Sequence, residues 1–211
     1  MARYQAIVFD LDGTLLDTIA DLGEAVNYAL GKRGLPLHSL EDYRGMVGNG
    51  VRKLVERALP TEQKALTEEC LADFMSYYES HIDVHTVPYA GMPELLQELS
   101  DAGVALAVAS NKFQSGAEYL VKELFPGIPF VAILGNREGF PLKPDPAIVE
   151  TVLEKADVAK ADAALVGDSA TDMKTAANAG VPGIAVAWGY QDMTDYPVVA
   201  RSVEELKSIL S

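Results

Sequence analysis

The sequence predicts an α/β protein: a doubly wound parallel sheet carrying an inserted, all-helical subdomain. Three observations lead there. Five short apolar runs, Ala6–Phe9, Val104–Ala109, Phe130–Leu134, Ala163–Val166 and Gly183–Ala187, are continuous rather than alternating, as in parallel strands covered on both faces. Helical periods separate the later runs, which implies right-handed crossovers. The stretch from Thr18 to about Val84 carries helical patterning and no good strand.

Taken in order, the first run is a strand that stops at Asp10. Ile19, Leu22, Val26 and Ala29/Leu30 then share one helical stripe. Gly48-Asn49-Gly50 is a turn, and a helix is expected over Val51–Ala58. Thr61–Ser80 is helical again, in one or two pieces. These limits divide the chain into a core of residues 1–17 and 85–211 and a helical insertion of residues 18–84. In the second part of the core, Met92, Leu95, Leu96 and Leu99 recur at helical spacing. Asp145-Pro146 is a helix start, with Asp145 as cap and Pro146 in the first turn. Ala170–Ala179 is helix-prone and stops at Gly180. Ser202 and Glu205 have capping-box spacing and open a last helix.

Composition limits the partners. The 211 residues carry a formal net charge of −14, which opposes nucleic acid and anionic membrane surfaces. It also means that an anionic small substrate needs positive charge supplied locally. No apolar run approaches the roughly 20 residues that span a bilayer. The first apolar run ends at Asp10, so no signal-peptide pattern is expected there. Cys70 is the only cysteine, so no intrachain disulfide can form and a cytoplasmic location is expected. Cys70 itself reads as a small buried residue of a helix.

Ligands of open α/β sheets bind beyond the carboxyl ends of the strands. Asp10 and Asp12 follow the first strand; Ser110, Asn111 and Lys112 follow the second; Asp168, Ser169 and Asp172 follow the fourth. Lys143 lies in "PLKPDP" after the third. Clustered carboxylates repel and call for a cation, and oxygen-only donors suit Mg²⁺ with phosphate oxygens. A carboxylate at such a site can accept a phosphoryl group. Asp10 is the candidate nucleophile. Asp12 is the candidate acid and base, protonating the leaving oxygen and later taking a proton from water. Lys143, Ser110 and the amides around Gly13 and Asn111 would neutralise and hold the phosphate.

"DLDGT", "ASNK", "LKPDP" and "GDSATD" together resemble the four motifs of the haloacid-dehalogenase superfamily, in order and along essentially the whole chain. The resemblance implies Asp10 as nucleophile, Asp12 as general acid/base, and Ser110 and Lys143 on the phosphate. It implies Mg²⁺ held by Asp10, the Asp12 main-chain oxygen and Asp168, with Asp172 in support. An aspartate at the position of Asp12 favours phosphate chemistry over dehalogenation. "VGNGVRKLVERAL" and "YAGMPELLQELSDAG" are similar to phosphoglycolate phosphatases. The substrate expected is therefore a small phosphorylated metabolite, 2-phosphoglycolate first. Its contacts would be Gly13, Thr14 and Asn111, with Arg52 in the first turn of its helix meeting an anionic distal end.

Two other functions use similar residues. A hexose-phosphate mutase would hand the aspartyl-phosphate to a sugar, and a receiver-like module would accept phosphate without turnover. The latter has no need of Asp12 or of a helical insertion. A calcium loop at Asp10 fails because Thr14 and Leu15 occupy positions that need an acidic or amide residue and a glycine. His81 and His85 have the spacing of a metal pair but no third ligand nearby, so a linker or surface role is expected. The role of Trp188 and the oligomeric state are not legible.

Overall fold

The computed structural model describes residues 3–211 and has a six-stranded parallel sheet at its centre. Its strands are β1 (Ala6–Phe9), β4 (Ala105–Phe113), β5 (Phe130–Asn136), β6 (Ala163–Gly167), β7 (Gly183–Val186) and β8 (Val199–Ala200). Their order is β5-β4-β1-β6-β7-β8. Successive residues of each strand face opposite sides, and both sides are covered, which is why the runs read as continuously apolar. Ile7, Phe9, Leu106, Val108 and Val166 belong to one core. On that side lie α5 (Met92–Asp101), α6 (Gln114–Leu124) and α9 (Val203–Leu210). Ala6, Val8, Ala107, Leu165 and Ala185 belong to the other core, under α7 (Ala147–Ala156) and α8 (Ala170–Ala179).

Register aligns the strand ends. Phe9 pairs with Val108 on one side and with Val166 on the other. Asp10 is therefore level with Ala109 and Gly167, and Ser110 and Asp168 lie one step beyond. The crossover from β1 leads to β4 on one side, and that from β6 leads to β7 on the other. The crevice where these directions part is where an open sheet binds its ligands.

The expected strands are present, with shifted ends. β4 continues past Ala109 to Phe113 through a register irregularity, so Ser110–Lys112 sit on strand rather than in a loop. Three elements were not foreseen besides β8. β2 (Leu16–Asp17) and β3 (Val87–Pro88) pair antiparallel, and α2 (Leu40–Arg44) is a single short helix. The remaining helices between that ribbon's strands are α1 (Ile19–Gly31), α3 (Val51–Ala58) and α4 (Thr67–Tyr78), the last preceded by a 3₁₀ turn over Thr61–Leu66. Leu22, Val26, Leu54, Val55, Phe74 and Tyr78 bury their faces in one apolar cluster. Cys70 is buried there as a free thiol. Buried Asp21 in the first turn of α1 accepts from the backbone N–H of His85 and Thr86, tying the return strand to the outgoing helix.

Helix ends follow the expected chemistry with two differences. α8 opens with a full capping box of Ser169 and Asp172 and ends at left-handed Gly180. At α9, Ser202 accepts from Glu205 N, but Glu205 reaches back to Arg201 N rather than to its own cap. At α7 the helix starts at Ala147, so Pro146 is the cap and not a first-turn residue; Asp145 accepts from Ala147 N. His81 stacks flat on Tyr77 at 3.9 Å and His85 lies 3.3 Å from Glu24, so the two do not form a metal pair. The Trp188 indole donates to Thr14 O. No helix among the described residues is long and apolar enough to cross a membrane.

Candidate active site

β1 delivers Asp10 to the crevice, 7% exposed. β6 delivers Asp168, and the first turn of α8 delivers Asp172. Carboxylate oxygens of these three residues lie within 4.8 Å of one another. Gly13 makes room for them: its φ is +85°, and a Cβ there would stand 2.3 Å from Asp168 Oδ2. Gly167 is needed for the same reason, because a Cβ would meet Asp172 Cβ at 2.3 Å. Backbone amides fix the carboxylates. Tyr190 N donates to Asp168 Oδ2 at 2.7 Å, and Ser169 N donates to Asp172 Oδ2 at 3.1 Å.

Lys143 is the cation of this cluster. Its Nζ lies 2.8 Å from Asp10 Oδ1 and 2.6 Å from Asp172 Oδ1. Burial would lower its pKa, but Asp10 and Asp172 outweigh that and hold the ammonium above its ordinary value. One ammonium does not balance three carboxylates. Burial, then the nearby Asp172, pushes Asp10 up to about 7 against the pull of Lys143. Burial, Asp10 and Asp172 raise Asp168 well above its ordinary value. A buried excess of negative charge on hard oxygen donors fits a divalent cation such as Mg²⁺. Asp172 is thus a member of the acidic cluster as well as a helix cap. The Asp12 carboxylate stands outside the cluster. It accepts from Thr18 Oγ1 at 2.8 Å and from Lys112 Nζ at 3.0 Å.

A cavity of about 30 Å³ adjoins these groups. Asp10, Asp12, Ser110 and Lys112 line it from the sheet side, and Leu22, Val47, Val51 and Leu54 line it from the helices and the loop between α2 and α3. Ser110 Oγ accepts from Lys112 N at 3.2 Å. Asn111 also reaches the cavity, but its amide is committed to backbone. It donates to Gly48 O at 3.0 Å and Lys143 O at 3.2 Å, and accepts from Lys143 N at 2.9 Å. Its side chain clamps two loops instead of offering a free donor.

Three expected substrate contacts are not brought to the cavity: Gly13, whose N–H donates to Leu16 O at 2.8 Å, Arg52 and Thr14. Arg52 is 58% exposed and turns outward, its Nε donating to Glu68 at 2.8 Å and its Nη1 lying 3.6 Å from Glu56. Its neighbour Val51 faces the cavity, and consecutive helical residues point about 100° apart. Thr14 is fully enclosed, and its hydroxyl has no hydrogen-bond partner. The residue missed by sequence reasoning is Lys112, 3% exposed, which bonds Asp12 and Tyr78 Oη. It stands in "ASNK" directly after two residues that were chosen. Tyr78, at the end of α4, carries no sequence signal, since only tertiary packing brings it to Lys112.

Comparison with known proteins agrees with this geometry. Residues 7–186 match the family described as haloacid dehalogenase-like hydrolase. A Mesorhizobium japonicum protein named phosphoglycolate phosphatase is 36% identical over 190 residues, covering 88% of this chain and 84% of that one. A protein of the same name from Pseudomonas syringae pv. tomato is 39% identical over 191 residues, covering 87% and 70%. A crystal structure from Lactobacillus delbrueckii subsp. bulgaricus is 32% identical and superposes with a TM-score of 0.91, covering 99% of this chain and 98% of that one. The chain belongs to the haloacid dehalogenase-like hydrolases.

Proposed function

We propose that this chain is a Mg²⁺-dependent phosphatase of a small phosphomonoester, 2-phosphoglycolate, working in the cytoplasm through an aspartyl-phosphate on Asp10. The observation that carries the reading is the meeting of Asp10, a second carboxylate, a buried lysine and an acidic cluster at one sheet edge. The names of the relatives support the substrate.

Asp10, Asp168 and the main-chain oxygen of Asp12 would hold Mg²⁺, with Asp172 in support. Bound there, it supplies the positive charge that phosphoryl oxygens need. Asp10 attacks phosphorus, the phosphorus–ester oxygen bond breaks, and Asp12 gives its proton to the departing alkoxide. Water then attacks the same phosphorus, Asp12 takes back a proton, and Asp10 leaves as a carboxylate with inorganic phosphate. Lys143 and Ser110 hold the phosphoryl group through both steps.

The cavity has room for about one or two waters, and on this reading the helices α1–α4 part from the sheet there as a phosphomonoester enters. The contacts to be broken are apolar and polar: the two layers share one apolar cluster, Tyr78 packs edge-on to Phe113, and Lys112 bonds Tyr78 Oη. Asn111 Nδ2 holds Gly48 O, Asn49 Nδ2 donates to Thr171 Oγ1 at 3.3 Å, and Arg44 Nη1 donates to Gly189 O at 3.1 Å. We read residues 18–84 as a cap on the core of 1–17 and 85–211, hinged at the β2–β3 ribbon.

The experiment is turnover of a phosphometabolite panel by purified protein with Mg²⁺. Expected are preferential hydrolysis of 2-phosphoglycolate, no need for a bisphosphorylated sugar, loss of activity in EDTA and restoration by Mg²⁺. Asp10→Asn should fall to background and trap no acyl phosphate. A tenth of wild-type turnover in Asp10→Asn, or full activity in chelated buffer, refutes the mechanism.

A further inference from the structure

We propose that Lys112, supported by Tyr78, is the cation that receives the carboxylate at the distal end of the substrate. This rests on the phosphatase reading above and deepens it. A substrate with its phosphate at Asp10 and Lys143 places its other end against the helix side of the cavity. That side is apolar: Leu22, Val47, Val51 and Leu54. Among the described residues that line the cavity, Lys112 is the one cation. Arg52 is out of reach on the surface.

Lys112 is built as a binding group. Its side chain is 1% exposed, and its Nζ lies 3.0 Å from Asp12 Oδ1 and 2.7 Å from Tyr78 Oη. An ammonium has three N–H donors, so one is left after Asp12 and Tyr78. The Tyr78 hydroxyl accepts from Lys112, and its own hydrogen has no acceptor recorded among the described residues. Lys112 therefore offers one N–H to an anion in the cavity that it lines, with Tyr78 buried behind it. Tyr78 ends α4, whereas Lys112 is on β4. Their direct bond already joins the helical layer to the sheet beside the cavity.

Recognition and positioning are separable. Lys112 also touches Asp12, so removing it could harm proton transfer for every alkyl phosphate. Ethyl phosphate is the control: it carries a methyl where phosphoglycolate carries the carboxylate, and both leave as alkoxides. The measurement is kcat/KM for both substrates in wild type, Lys112→Met, Lys112→Arg and Tyr78→Phe. A lost charged hydrogen bond in a buried site lowers affinity by roughly 10-fold or more. Lys112→Met should therefore lower the phosphoglycolate-to-ethyl-phosphate ratio by at least about 10-fold, chiefly through KM. Tyr78→Phe, which keeps the fold, should lower the ratio by a smaller factor, and Lys112→Arg should retain part of it. An equal fall for both substrates in Lys112→Met means that Lys112 only orients Asp12, and overturns the inference alone. So does an unchanged ratio in both Lys112→Met and Tyr78→Phe. A wild type with no preference for phosphoglycolate over ethyl phosphate overturns the carboxylate reading itself and this inference with it.

Discussion

Asn111 is the residue whose removal should cost most for its size. Its amide makes three buried hydrogen bonds, to Gly48 O (3.0 Å), Lys143 O (3.2 Å) and Lys143 N (2.9 Å). Each is worth about 1 kcal/mol net, and a partner left buried and unpaired costs about 1–3 kcal/mol. Asn111→Ala strands one N–H and two carbonyls, so the expected loss of folding stability is about 3 kcal/mol. Two of the three bonds hold the backbone of Lys143, whose Nζ contacts Asp10 and Asp172. The loss should therefore appear in kcat as well as in stability. Asn111→Asp keeps the size and the acceptor but points oxygen at two carbonyls, beside an acidic cluster. It should be at least as damaging as alanine. Urea unfolding, with midpoint and slope measured for both variants, is the assay. A loss under about 0.5 kcal/mol in Asn111→Ala, or an Asn111→Asp milder than Asn111→Ala, would refute the clamp.

Asp12→Asn should lower kcat by about 10²–10⁴-fold for alkyl phosphates and by less for p-nitrophenyl phosphate, whose leaving group needs no proton; equal losses would show that Asp12 is not the acid. Arg52→Ala should leave kcat/KM for phosphoglycolate within about twofold, since its partners Glu68 and Glu56 are surface groups; a selective KM increase would return it to the site. Thr14→Val removes a buried hydroxyl that has no partner and should raise stability by about 1 kcal/mol, read as a higher unfolding midpoint at unchanged turnover. A fall in kcat/KM there would mean that the hydroxyl meets substrate.

Legibility in the sequence followed locality. β1, α3 and α8 fall where their patterns put them, because their burial follows from a fixed period along a few residues. The acidic cluster was visible for a related reason. Strand ends are marked by the stop of an apolar run, and the parallel register carries Asp10 and Asp168 to one edge. What escaped depended on distant partners. The β2–β3 ribbon pairs Leu16 with Pro88, and no local signal joins two such short segments. β4 runs on through Ser110–Lys112, whose polar side chains read as a loop. Arg52 was placed correctly on its helix but on the wrong face, because Val51 and not Arg52 takes the inward direction. Lys112 is buried through Tyr78, a residue 34 positions earlier.

The chain's acidity and an anionic substrate are reconciled by depth. Surface charges act through water and salt, and beyond roughly 10 Å they are largely screened. Lys143 and Lys112 are buried, and each sits on carboxylates: Asp10 and Asp172 for the first, Asp12 for the second. Breaking such a pair by removing one partner costs about 3–5 kcal/mol, so both ammonium groups are held in place before any ligand arrives. Their placement costs nothing further when a phosphate and a second anionic group enter. Lys143 lies among the carboxylates at the β1–β6 crevice, and Lys112 lies in the cavity wall near the carboxyl end of β4. The net charge of −14 acts at the surface, whereas these interior lysines act at contact distance on whatever enters the cavity.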